Sequence, residues 1–116
     1  MNSHIAVVLI DPLNDFLHLD GKLYPIMKAS LEFSSSLQHM KELVEAARQA
    51  HIPIFYGLHQ ITKDFTYSGW NHMNASQTRI RDNMAFDEAF GGQIFKELEP
   101  QPSNGDVVVS RHWNSR

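Results

Sequence analysis

Ile5-Ala6-Val7-Val8-Leu9-Ile10-Asp11-Pro12 is the stretch on which the fold turns. Six consecutive apolar residues, closed by Asp-Pro, read as a short strand buried on both faces of a parallel sheet. Pro12 has no N–H to donate to a ladder, so the strand ends at Asp11 and leaves that carboxylate at its carboxyl end. Ile52-Pro53-Ile54-Phe55-Tyr56-Gly57 reads as a second strand, with its proline near the start. Between the two, Leu37, Met40, Leu43, Val44 and Ala47 recur at helical spacing. That predicts a helix from about Ser36 to Ala50, opened by a Ser35/Gln38 capping box. Strand, helix and strand form a crossover whose right-handedness makes the strands parallel. Val107-Val108-Val109 is a third strand, reached through the turn Pro102-Ser103-Asn104-Gly105-Asp106. The fold class is therefore α/β, with a parallel sheet of about three strands.

The intervening segments are less legible. Residues 12–33 carry no clean period, only turn signals at Asp20-Gly21 and Pro25. Residues 58–93 mix polar residues with His59, Phe65, Tyr67, Trp70, His72, Phe86 and Phe90. Within them Gln77 to Met84 reads as a short helix, and beyond them Ile94 to Leu98 as a helical turn. One firm helix cannot cover both faces of a parallel sheet. The expectation is that residues 1–116 are the N-terminal portion of a single domain.

Composition narrows the function classes. The chain has 116 residues, 42% hydrophobic and 20% charged, the balance of one globular domain. No apolar run reaches the length of a membrane span, and the start lacks the pattern of a secretory signal. A cytoplasmic protein is expected, with no membrane partner. A net charge of −3 gives no electrostatic footprint for nucleic acid. There is no cysteine, which excludes disulfides, zinc–thiolate sites and a thiol nucleophile within these residues.

Three groups could carry chemistry. Asp11, behind a buried strand, suits a general acid or base, and reads equally well as a turn starter. Asp15 reads first as a cap on the backbone that follows it. His59, two residues past the second strand, can lie beside Asp11 across the sheet edge, or can be an ordinary loop histidine. Ser110-Arg111-His112-Trp113 follows the third strand, where Arg111 could hold an anionic group in a two-pronged grip. Phe65, Tyr67 and Trp70 either line a pocket for a flat ligand or fold back as apolar payload. The seven histidines are dispersed without ligand spacing, and no glycine-rich phosphate loop is present. No metal and no cofactor are expected.

Val7-Val8-Leu9-Ile10-Asp11-Pro12-Leu13-Asn14-Asp15-Phe16, followed by Asp20-Gly21-Lys22-Leu23, resembles the start of an isochorismatase-like (cysteine hydrolase) protein. Leu13 stands where that family usually has Gln. The resemblance continues through Ile52 to His59, Gly69-Trp70, Gly91-Gly92, Glu99-Pro100-Gln101-Pro102, Gly105 to Val109 and His112-Trp113. It implies a Rossmann-like three-layer fold, incomplete here, and hydrolysis of C–N bonds in small molecules by an Asp, a Lys and a Cys. Asp11 matches the Asp. The Lys position falls on Arg111 or Ser110, depending on which neighbours are aligned. The Cys would follow a fourth strand, which these residues do not include. The resemblance thus implies Asp11 and Arg111 as catalytic residues. It implies Asp15, Phe16, His59, Trp70, His112 and Trp113 as substrate-binding residues, with a small-molecule substrate and often a homo-oligomer. The chain by itself is expected to be inactive. Two alternatives stand beside this: acid-catalysed vinyl-ether hydrolysis through Asp11 without a thiol, and a non-catalytic α/β interaction module that pairs through its exposed edge.

Overall fold

The structure is a computed structural model and describes residues 4–61, 67 and 71–109. Arg111, His112, Trp113, Trp70, Phe65 and Ser110 lie outside the described residues.

Three parallel strands form one sheet in the order β1-β2-β3: β1 Val7–Ile10, β2 Ile54–Gly57 and β3 Val107–Val108. Val7 lies beside Ile54 and Ile10 beside Gly57, while Phe55 and Tyr56 lie beside Val107 and Val108. The N–H of Val7 donates to Pro53 and that of Asp11 to Gly57. Pro53 thus serves the ladder through its carbonyl, and the ladder ends at Asp11 as Pro12 requires. With the helices the chain is α/β, in agreement with the reading of the sequence.

The strand is not buried on both faces. Leu9 is 5% exposed, whereas Val8 and Ile10 are 60% and 55% exposed. Side chains alternate across a strand, and the register puts Leu9, Ile54 and Tyr56 on one face. There they join Val44 and Ala47 of α3, Ser36–Gln49, in a single core. The opposite face, with Val8 and Ile10, is open among the described residues. An unbroken apolar run cannot by itself reveal that one side lacks a cover.

Two helices fill the segment without a clean period: α1 Asn14–Leu17 and α2 Tyr24–Ser34. Pro25 sits in the first turn of α2, where a missing N–H costs nothing. None of the residues of α2 is buried, which is why no clean apolar stripe marks it. The Ser35/Gln38 capping box does not form. Ser35 adopts a left-handed conformation (φ 52°), ends α2, and makes no side-chain bond to the start of α3. A reciprocal capping box occurs instead at Asn74 and Gln77, opening α4, Ala75–Asp82. Short 3₁₀ turns follow at Lys96–Leu98 and Pro102–Asn104.

Asp106 locks β3 to the rest. It accepts the N–H groups of Ile54 at 3.0 Å and Gln101 at 2.9 Å, and Asn104 Nδ2 at 2.9 Å. Arg48 of α3 lies 3.5 Å away. Burial alone would raise its pKa, but these donors and the guanidinium hold the carboxyl below its ordinary value.

Candidate active site

Asp11 leaves β1 in the left-handed region, at φ 52°. Aspartate visits this region more readily than most residues, yet the conformation still carries about 1–3 kcal/mol of strain. Position explains it. The carbonyl of Asp11 accepts the N–H of Leu13 at 2.7 Å across Pro12, so the chain reverses into α1 within two residues. The reversal holds the carboxylate over the carboxyl end of the sheet, where sites of parallel α/β sheets form. Its Oδ1 accepts the N–H of His59 at 2.6 Å.

The structure thus brings His59 beside Asp11 through its backbone. The imidazole is 4% exposed and its Nδ1 lies 2.8 Å from the carbonyl of Gln60. The ring packs 4.7 Å from Phe86, which in turn lies 5.3 Å from Phe16. Phe86, a scattered aromatic in the sequence, is fully buried and links two of the candidate residues. Nothing in its spacing marks that role.

Beside Asp11 opens a groove of about 310 Å³, walled by Pro12, Phe16, Leu17, Met27, Leu31 and Met40. Phe16 comes from α1, Met27 and Leu31 from α2, and Met40 from α3. The two methionines give the wall adaptable thioethers. Among the described residues, Asp11 is the one ionisable group along the groove. A carboxylate facing an apolar wall can hold a polar atom of a ligand whose remainder is uncharged.

Asp15 has a different place. It is fully buried, its Oδ1 accepting Lys22 N–H at 2.9 Å and its Oδ2 accepting Phe86 N–H at 2.6 Å. It caps backbone, as its type suggested, and half of that backbone lies 71 residues away. Both oxygens are committed and covered, so the residue ties the turn after α1 to the loop 84–91 and does not face the groove. Around it, Lys22 Nζ reaches the carbonyl of Met84 at 2.6 Å and Asp87 at 3.6 Å. Asp87 gathers the N–H groups of Ala89, Phe90 and Gly91. Burial would raise the pKa of Asp87, but these N–H groups and Lys22 outweigh it and hold the carboxyl low. Tyr67 is buried too, and donates to the carbonyl of Ala85 at 3.0 Å. Burial, aided by the charge of Asp15, pushes its hydroxyl up to about 12. It belongs to the packing of this loop, the second of its two readings.

Among the described residues, no three His, Asp or Glu side chains come together to hold a metal ion. No described helix is long and apolar enough to cross a membrane.

No curated protein matches the chain. The model of the isochorismatase domain matches residues 5–115. The match spans the strand that sets Asp11, the helices that wall its groove and the strand that delivers His59, so the chain belongs to the isochorismatase domain family and is related to its hydrolases.

Proposed function

We propose that the chain carries the acid–base part of a small-molecule hydrolase site, with Asp11 as the group that accepts and returns protons during cleavage of a C–N bond. The observation that carries this is the posture of Asp11: left-handed backbone, carboxylate bound to the His59 N–H, and an apolar groove alongside. The left-handed backbone matters here for where it puts the carboxylate, over the carboxyl end of the sheet, where sites of parallel α/β folds form. Phe16 supplies a wall of the substrate groove and His59 orients the carboxylate. Arg111, Trp70, His112 and Trp113, which lie outside the described residues, keep the catalytic and substrate-binding roles that the family resemblance implies for them. In hydrolysis the C–N bond breaks, the nitrogen takes a proton and the acyl carbon takes hydroxide from water. Asp11 moves the protons.

The 116 residues contain no cysteine, so a thiol route is not complete within them. The purified chain should bind a small neutral amide without turning it over. Benzamide is a suitable probe. Its addition should shift the methyl resonances of Met27 and Met40, and Asp11→Asn should weaken that binding several-fold. Unshifted methyls would overturn the assignment of the groove. An amide-hydrolysing rate that disappears in Asp11→Asn would overturn the dependence on a thiol.

The apolar groove beside the Asp11 carboxyl favours one second reading, acid-catalysed vinyl-ether hydrolysis. Protonated Asp11 would give its proton to the vinyl carbon, and water would add to the resulting oxocarbenium carbon. The hemiketal formed would then collapse to a ketone and an alcohol. A vinyl-ether rate that falls as pH rises and vanishes in Asp11→Asn supports it. An equal rate in that variant rules it out.

A further inference from the structure

The turn before β3 holds a reactive dipeptide. Asn104-Gly105 closes the 3₁₀ turn Pro102–Asn104, and of the asparagines Asn104 alone precedes a glycine. The turn requires that glycine, because it ends in the left-handed conformation at φ 81°. A residue without a Cβ also leaves its nitrogen open to the side chain before it. In an unconstrained chain the Gly105 nitrogen gives its proton to a solvent base and bonds to Asn104 Cγ. The Cγ–Nδ2 bond breaks and ammonia leaves. Water then opens the succinimide ring, at one carbonyl to give aspartate and at the other to give isoaspartate.

In the folded chain both reacting groups are occupied. The Gly105 N–H donates to the Pro102 carbonyl at 2.9 Å. Asn104 Nδ2, the leaving group, donates at 2.9 Å to the Ile52 carbonyl and at 2.9 Å to Asp106 Oδ1. Both partners are acceptors, which fixes the amide with its NH₂ towards them. The Asp106 side chain is itself fully buried, and it also accepts the N–H groups of Ile54 and Gln101. We propose that Asn104-Gly105 is a site of spontaneous deamidation, shut while Asp106 clamps the turn, open when the turn lets go, and unable to shut again once modified. The last step follows from the donor set. A carboxylate in place of the amide has no N–H to give, and it sets a negative charge against a carbonyl and a buried carboxylate. The modified turn therefore repels the clamp that held it. Because Asp106 ties this turn to Ile54 at the start of β2, the lesion loosens β3 from the sheet. This inference does not depend on the hydrolytic reading.

Peptide mapping tests it. Trypsin releases residues 97–111, in which Asn104 is the one asparagine. Chromatography with mass spectrometry then separates the asparagine, aspartate and isoaspartate forms. Incubated at one mildly alkaline pH, the folded chain should deamidate at Asn104 at least about tenfold more slowly than the chain unfolded in urea, the opening cost of a held turn. Across intermediate urea the rate should follow the unfolded fraction. Asp106→Ala without urea should deamidate close to the unfolded rate. Should circular dichroism show that variant unfolded, the urea series of the intact chain decides alone. Asn104→Asp should lower the folded-to-unfolded ratio by about tenfold or more. It should also be less stable than Asn104→Ala, which removes the same donors without adding charge. Equal rates in the folded and unfolded chain overturn the shut site, and a folded Asp106→Ala that stays as protected as the parent overturns the clamp. Asn104→Asp as stable as Asn104→Ala overturns the one-way step.

Discussion

Asp11 and Asp15 lie four residues apart on opposite sides of the start of α1, and their surroundings have almost nothing in common. Asp15 is sealed among backbone donors from two distant loops. Asp11 sits partly open at a strained turn and faces an apolar groove. The same side chain is a strut in one place and a candidate acid–base group in the other. The difference lies in who supplies the hydrogen bonds. Where both oxygens are taken by buried N–H groups, nothing remains for a ligand. Where the carboxylate accepts a backbone N–H and borders a groove, as at Asp11, the side chain forms part of the groove wall.

Substitutions should separate the two. Asp15→Ala leaves two N–H groups in the interior without their acceptor. With about 1.5–3 kcal/mol for each bond to a charged group, the loss should be about 3 kcal/mol or more. Urea unfolding would read this as a lower midpoint at constant slope, and an unchanged midpoint would mean that Asp15 is not a strut. Gly91→Ala should come next. A Cβ there would stand 2.2 Å from Asp15 Oδ2, so the loop must shift, at about 1–3 kcal/mol. The same unfolding experiment checks it.

Asp11→Gly should change stability least. Glycine relieves the left-handed strain, roughly 1–3 kcal/mol, while the bond to His59 N–H, about 1–3 kcal/mol, is lost. The two offset, and the midpoint should stay within about 1 kcal/mol of the parent. Benzamide binding should nevertheless fall. A large destabilisation by Asp11→Gly would make Asp11 a second strut and erase the contrast.

Two pH effects sharpen the comparison from the structural side. Asp106 and Asp87 have folded pKa values below their unfolded ones. Their contribution is therefore present above an unfolded pKa of about 3.9 and is lost as pH falls through the folded values. Acid unfolding should soften below about pH 4, and Asp106→Asn should flatten that limb. The hydroxyl of Tyr67 is raised to about 12, so its contribution is intact below about pH 10 and is lost as pH rises towards 12. Tyr67→Phe should remove that alkaline loss, measured as the unfolding midpoint against pH.

Much of the frame was legible. The apolar runs at Ile5 and Ile52, the period from Leu37 to Ala47 and the turn before Val107 all correspond to elements, because each reflects burial or turn chemistry local to its own segment. α2 escaped notice since it buries no residue and so leaves no clean stripe. The Ser35 capping box failed because a tight corner between α2 and α3 demanded a left-handed residue at the very position of the cap.

The sequence by itself determined the parallel α/β sheet, the family, and the placing of Asp11 at the carboxyl end of β1. The sheet and the place of Asp11 rest on hydrophobic runs, on spacing and on the proline that stops the ladder, and the family on the resemblance of its motifs. Tertiary structure alone decided which aspartate is a strut, that Phe86 stands between Phe16 and His59, and that one face and one edge of β1 stay open among the described residues. Those outcomes depend on contacts between residues up to 71 positions apart. Hydrogen-bond partners at that separation leave no periodicity for a linear reading to find.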